Sequence, residues 1–325
     1  GLQLPASTTE APPAKLRIPR QVIMTSKQAS PAHLVPAVKA NLEKNLQMES
    51  GLELRWLDDS MCLDYLKEHF GAKFAQRLEN EPRGSYRGDL CRAAVLFREG
   101  GFYIDLDVQL KVPLTRLVDS NTTFMTAFTV DGAVLNAVVA AEPRNEIMAE
   151  TLRELRRWYD GDASHEADEE KEKTQSQWMG PLTMLRGLRV VMERSCPGVS
   201  LEMQRQVASW ECGTQHFRFY DERDLACDYT GDADPNSECP PSRANSEFPG
   251  SRFGIFEPNP QWDKRVLVAW PRFEACDDWG CKGGGWDEGA NPKSAEPPKG
   301  TEEDLLDSPK ISKDDSDGSA NPKDL

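Results

Sequence analysis

Residues 85 to 108 read Ser-Tyr-Arg-Gly-Asp-Leu-Cys-Arg-Ala-Ala-Val-Leu-Phe-Arg-Glu-Gly-Gly-Phe-Tyr-Ile-Asp-Leu-Asp-Val, and their periodicity changes part-way along. Up to Glu99, Leu90, Ala93, Ala94 and Phe97 recur at helical spacing, with Val95 and Leu96 widening the apolar face. Asp89 and Arg92 lie three apart and share another side of that helix. Gly100 and Gly101 supply the left-handed residue on which a helix ends. From Phe102 the period is two. Phe102, Ile104, Leu106 and Val108 point one way; Tyr103, Asp105 and Asp107 point the other. The segment therefore predicts a helix over 87–99 and a strand over 102–108 that carries two carboxylates on one surface.

Two ionised carboxylates at that spacing, about 7 Å apart, repel by roughly 2 to 3 kcal/mol at an effective dielectric near 20. A strand end that accepts this cost calls for a cation. All-oxygen ligands favour hard ions, Mg²⁺ or Mn²⁺, which in turn hold diphosphate oxygens. The plainer alternative is a solvated acidic strand edge.

Working outward, the pattern predicts strands at 18–25 and 52–57, helices at about 33–48 and 60–69, and a helical continuation over 72–80. Beyond the acidic pair it predicts a strand at 123–129 and helices at 133–140, 145–159 and 181–194. After residue 197 turn residues and cysteines dominate, with short strands near 199–203 and 265–270. Alternating β and α units with acids at a strand's carboxyl end suit a nucleotide-binding sheet, where ligands gather beyond the strand ends. No G-x-G-x-x-G and no Walker loop is present, so phosphates fall to a metal rather than to a glycine cradle.

The chain has 325 residues and a formal net charge of −15. Much of that charge sits in two runs, residues 160–173 and 301–325. The balance argues against binding a nucleic-acid backbone, which needs a basic surface. Residues 1–16 and 290–325 are poor in apolar side chains and read as a linker or stem and as a disordered acidic tail, leaving 17–289 for one domain. Eight cysteines, most of them in the second half, suggest cystines formed in an oxidising compartment. The rival is a zinc site at Cys276 and Cys281, although no C-x-x-C pair exists. One glycosylation tripeptide, Asn121-Thr122-Thr123, is present. No stretch approaches the roughly 20 apolar residues of a membrane span.

The 85–108 segment resembles the signature of the DXD-containing sugar transferases of glycosyltransferase family 32, whose fungal members include Golgi mannosyltransferases. That pattern runs S-D-x-x-R-x-x-x-L-x-x-x-G-G-x-Y-x-D-x-D-V, and Asp89, Arg92, Leu96, Gly100, Gly101, Tyr103, Asp105, Asp107 and Val108 fall on it. Large clostridial glucosylating toxins carry a similar run. Ile18–Thr25 resembles the family's opening strand, departing at Ser26 and Lys27, and Leu54–Asp59 resembles its second strand. Val134–Ala141 resembles the N-x-x-x-A-A helix, and Gly180-Pro181-Leu182 the T-G-P loop, with Met179 where Thr is usual.

The resemblance implies a GT-A type α/β fold, with a mixed, mostly parallel sheet and a loop-rich, cysteine-containing carboxyl-terminal part. It implies transfer of a hexose from a nucleotide-diphosphate sugar (UDP- or GDP-linked) to a glycan, lipid or protein hydroxyl, with retention and with Mn²⁺ or Mg²⁺. Asp107 would ligate the metal directly; Asp105 would reach it through water or bind donor hydroxyls. Arg92 and Asp89 would grip the donor sugar, against the plain alternative of an exposed helix ion pair. Tyr103 would reach the donor or simply pack. Trp56 would stack on the nucleobase or belong to the core. Asn136 would lie near donor or acceptor, or serve as a helix-start polar residue. A third metal contact is not evident; Asp277 or Asp278 is a candidate. The family further implies the Golgi lumen, with an anchor and stem ahead of this chain, or secretion. The alternative reading is a transferase-like fold that has lost catalysis and binds carbohydrate or protein.

Overall fold

Strand β1 (Gln21–Ser26) buries Val22, Ile23 and Met24 in succession. An unbroken apolar run of this kind belongs to a strand covered on both faces. The computed structural model describes residues 15–49, 51–129, 132–160, 179–199, 201, 209–224, 253–256 and 267–269. After β1 come α1 (Pro36–Gln47), β2 (Glu53–Asp58), α2 (Asp59–Phe70), α3 (Ala72–Asn80), α4 (Gly84–Glu99), β3 (Gly101–Ile104) and β4 (Gln109–Leu110). Then follow β5 (Phe124–Phe128), β6 (Val134–Ala141), α5 (Glu146–Asp160), α6 (Met179–Ser195), β7 (Ser209–Cys212), β8 (Gln215–Asp224), β9 (Phe253–Phe256) and β10 (Val268–Ala269).

The strands form one mixed sheet of order β2-β1-β3-β6-β5-β8-β9-β10-β4, with β7 also on β8. β1 pairs in parallel with β2 and β3, and β5 with β8; the remaining pairs are antiparallel. This is a mixed α/β sheet with helices packed on both faces. Helices α2 to α6 cover one face over Ile23, Tyr103, Val139 and Phe217. Val38 and Leu42 of α1 cover the other, over Val22, Met24, Phe102 and Ile104.

Two expectations need correction. Residues 133–140 are not a helix but strand β6. Val-Leu-Asn-Ala-Val-Val-Ala-Ala lies between β3 and β5 with nearly every residue buried, so its apolar run carries no alternation to distinguish it from a buried helix. Asn136 is therefore a strand residue, not a helix start. The strand expected over 102–108 ends at Ile104, and Leu106–Asp107 turn. Its alternation nevertheless holds, since Phe102, Ile104, Leu106 and Val108 share one apolar cluster while Tyr103 lies in the other. The hairpin of β7 and β8 was not foreseen. The two tails, apart from Lys15 and Leu16, the acidic run beyond Asp160 and most of 199–203 lie outside the described residues.

The glycine stop behaves as its chemistry requires. Gly100 and Gly101 have φ of +68° and +112°. A Cβ on Gly100 would meet Pro143 at 2.7 Å, and one on Gly101 would meet Gln21 Cγ at 2.6 Å. Gln21 Nε2 donates to Gly100 O at 2.8 Å, so the end of α4 is tied to the start of β1. Cys62 of α2 and Cys91 of α4 form a disulfide across 29 residues, and Cys196 pairs with Cys212. The other four cysteines, the zinc candidates among them, lie outside the described residues. Replacing both Cys62 and Cys91 by Ala is expected to lower the unfolding free energy by about 3 to 4 kcal/mol. Guanidinium denaturation of the oxidised proteins measures the difference.

Candidate active site

β3 sits where the sheet changes direction, with parallel β1 on one side and antiparallel β6 on the other. At its carboxyl end the chain leaves the middle of the sheet and crosses to β4 at the far edge of the strand order. Such a switch opens a crevice beyond the strand ends, and Asp105 and Asp107 occupy the crossing. Its backbone is held firmly. Asp105 N–H donates to Ala137 O at 2.9 Å, and Val108 N–H to Asp105 O at 3.1 Å. Two buried asparagines one turn apart on α1 grip it from beneath. Asn41 Nδ2 donates to Leu106 O (3.2 Å) and Val108 O (2.8 Å); Asn45 Nδ2 donates to Val108 O while its Oδ1 accepts from Leu110 N–H. Sequence reading missed this pair; polar residues at i and i+4 inside an apolar stripe were the available signal.

Arg92 organises the side chains around the turn. It is 5% exposed, and its guanidinium lies 4.1 Å from the centre of the Tyr103 ring. Nη2 meets Asp105 Oδ1 at 3.2 Å and Asp89 Oδ1 at 3.5 Å; Nη1 donates to the carbonyl of Asn136. The Tyr103 hydroxyl donates to Asp105 Oδ1 at 2.7 Å and lies 3.0 Å from Thr25 Oγ1 on β1. Burial, first, and the Asp105 charge push the Tyr103 hydroxyl far above the usual phenol range, so it stays a donor. Asp89 and Arg92 are thus a buried pair, not an exposed one.

Asp89 also joins three elements. Its Oδ1 accepts from Asn136 Nδ2 of β6 at 2.7 Å, and the carboxylate accepts from the Gly180 N–H in the first turn of α6. A carboxylate there satisfies an otherwise orphaned helix N–H and meets the positive end of the helix dipole. Burial raises its carboxyl to about 6, against the opposing pull of Arg92. Gly180 must be glycine: a Cβ would fall 2.0 Å from Asn136 Nδ2 and 2.5 Å from Asp89 Oδ1. The Gly-Pro-Leu motif is therefore a close approach of backbone to side chain, followed by a proline suited to a helix's first turn.

Asp107 differs from its neighbours. Among the described residues no cation lies within ion-pair distance of it, and its carboxylate accepts from its own backbone N–H. Burial, and then the charge of Asp105, push it up to about 7. Among the described residues one guanidinium, Arg92, faces this group and pairs with Asp89 and Asp105 but not Asp107, which leaves two negative charges uncompensated when all three carboxylates are ionised. A divalent cation suits that deficit, and two carboxylates on one turn suit a hard ion. Asp105 and Asp107 would hold it. Among the described residues no group of three or more metal-ligating side chains exists. Asp277 and Asp278 lie outside them.

Asp89, Arg92, Tyr103, Asp105 and Asn136 converge by direct contact, with Asp107 beside them. Trp56 stands apart. It is 9% exposed, packs in the apolar cluster that includes Met24 and Leu106, and donates from Nε1 to Gln28 O at 2.9 Å. Ser26, which departs from the family's pattern, ends β1 opposite Asp58 of β2 and accepts from Gln28 N–H at 3.1 Å.

Gly180→Ala is expected to cost about 1 to 3 kcal/mol through overpacking, read as a lower urea midpoint. A second expectation concerns Asp107. Its folded-state affinity for a proton exceeds that of an unfolded aspartate, so ionisation erodes stability from about pH 4 to about pH 7 and by a constant amount above. In chelator, Asp107→Asn should therefore melt higher than the wild type at about pH 8, with the two converging near pH 4. Thermal melts across this range check it.

Residues 21–124 match the model of the family described as the glycosyltransferase sugar-binding region containing a DXD motif. Among curated proteins no sequence match was found. Solved structures similar to this chain include the PaToxG glycosyltransferase, at 13% identity and TM-score 0.38, covering 57% of this chain and 71% of that one. Mouse xyloside xylosyltransferase 1 in its apo form is similar at 9% identity and TM-score 0.30, covering 61% and 96%. The UDP-bound glycosyltransferase domain of the YGT toxin is similar at 15% identity and TM-score 0.24, covering 52% and 45%. The crossing that carries Asp105 and Asp107, and the helix and strand that support it, thus lie within a stretch matching the DXD-type sugar-binding region of glycosyltransferases.

Proposed function

We propose that this chain is a metal-dependent glycosyltransferase that moves a hexose from a nucleotide-diphosphate sugar, UDP- or GDP-linked, to the hydroxyl of a glycan, lipid or protein. The observation that carries this reading is the buried Asp107, without a counter-ion among the described residues, beside an Asp105 already held by Arg92 and Tyr103. Membership of glycosyltransferase family 32, with its fungal mannosyltransferase-like members, is part of the proposal. So are retention of configuration and residence in the Golgi lumen behind an anchor, or secretion. The two cystines favour an oxidising compartment.

The contacts support the following division of labour. Asp107 and Asp105 would hold Mn²⁺ or Mg²⁺, which when bound would offset the charge that develops on a departing diphosphate. Arg92 and Tyr103 fix Asp105, so one acid arrives at the ion with its rotamer set. Asp89 and Arg92 face donor hydroxyls, Asn136 steering Asp89 through its amide. Trp56 has spent its Nε1–H on Gln28 and offers a base only the face of its ring.

Hydrolysis of UDP-Glc, UDP-Gal, UDP-GlcNAc and GDP-Man with and without Mn²⁺ tests the proposal. Turnover of at least one donor is expected, strictly dependent on the ion and reduced at least about 100-fold by Asp107→Ala. The departures from the family's pattern at Ser26 and Met179 favour a second reading, an inactive carbohydrate- or protein-binding module. No turnover with any donor, and no effect of Asp107→Ala, would establish that one instead.

A further inference from the structure

The turn that precedes β5 has a feature unrelated to sugar transfer. Asp119 Oδ1 accepts from the Asn121 N–H, the Thr122 N–H and the Thr122 hydroxyl, each at 2.9 Å. One carboxylate thus sets the backbone of the turn and leaves Asn121 exposed at its tip. Among the described residues the Asn121 side chain makes no hydrogen bond. Two positions on, Thr123 is fully buried; its hydroxyl donates to Gln215 Oε1 at 3.0 Å and accepts from the His216 N–H at 3.0 Å. Asn121-Thr122-Thr123 is the one Asn-x-Ser/Thr tripeptide, x not proline, in the chain. The cystines Cys62–Cys91 and Cys196–Cys212 suit folding in an oxidising compartment, and a secreted or lumenal chain is the kind in which such tripeptides are modified.

We infer that Asn121 carries an N-linked glycan, added before β5 pairs with β8. The co-reactant is a lipid-linked oligosaccharide diphosphate, acted on by the membrane transferase that uses it. The Asn121 Nδ2–C1 bond forms and the C1–O bond to the diphosphate breaks. The lipid diphosphate leaves with the bonding electrons, and one amide proton passes to a base of the transferase. Recognition of the tripeptide needs the Thr123 hydroxyl free. In the folded chain that hydroxyl is held by Gln215, 92 residues later, and by the backbone of His216. Transfer therefore precedes the closing of this contact.

Strand register gives the glycan's direction. Phe124 and Gly101 both sit opposite Ala141, whereas Ile104 sits opposite Val138. Asn121 thus emerges at the end of the sheet opposite the acidic crossing, at least about 10 Å away along β3. A glycan there leaves the crevice open. Neither the modification nor its placement rests on the sugar-transfer reading.

The test is to secrete the full chain from eukaryotic cells behind a cleavable leader, and to map the tryptic peptide Leu117–Arg144 before and after peptide N-glycosidase. The expected result is a glycan on Asn121 in most chains, lost in Asn121→Gln and in Thr123→Ala and kept in Thr123→Ser. Asn121→Gln, a surface change, should secrete and melt as the deglycosylated wild type does. An unmodified peptide in the secreted wild-type chain, or a glycan retained by Asn121→Gln, overturns the inference. For the order of events, folded unglycosylated protein incubated with microsomes should remain unmodified; modification there overturns the timing.

Discussion

A buried guanidinium shared among more carboxylates than it can neutralise is the constraint around which this molecule is arranged. Arg92 touches helix α4's own Asp89, the Asp105 carboxylate just past β3, the Asn136 carbonyl of β6 and the face of Tyr103. Taking one such cation out of water costs several kcal/mol, returned only if every partner is in place. The register between α4, β3 and β6 is consequently tight, and removing any one partner strands a charge in a poorly solvated site. The arrangement is worth more as a positioning device than as a source of stability. It leaves Asp107 ionised only at a cost, and a divalent ion would relieve that unbalanced carboxylate.

Backbone requirements follow from the same need for close approach. α4 must stop abruptly so that β3 can begin within one residue, and Gly100 and Gly101 allow this with positive φ where a side chain would strike Pro143 or Gln21. α6 must begin against Asp89, and Gly180 allows that because a Cβ would overlap Asn136. Asn41 and Asn45 do for the acidic crossing what a β-ladder does for a strand: they satisfy carbonyls and an N–H that would otherwise be orphaned inside the protein. Each device is local in chemistry but takes its partner from a distant part of the chain.

Much of the site was legible because its signals are short-range. A 3.6-residue period, two glycines and a 2-residue period in succession define α4, the turn and β3, and the polar positions left over on each element are Asp89, Arg92, Tyr103 and Asp105. What escaped has a common cause. β6 was read as a helix because a strand buried on both faces loses the alternation that marks strands. The asparagines of α1 were overlooked because their partners, Leu106 and Val108, lie more than sixty residues on. Trp56 admitted two readings because burial is a property of the packed cluster, and there its Nε1–H finds Gln28.

The order of residues alone was enough to fix the alternation of helix and strand as far as β3, the glycine stop, and the acidic pair with the arginine eight positions ahead of Gly100, since these depend on steric and hydrogen-bonding preferences acting over a few residues. Folding in three dimensions decided the rest. It turned the chain out of the sheet at Asp105, gave Asp105 a cation and, among the described residues, left Asp107 without one, and set the amino end of α6 on Asp89. Those outcomes arise from desolvation and from Coulomb interactions between groups far apart in sequence, and they exist only once the sheet has closed around Arg92.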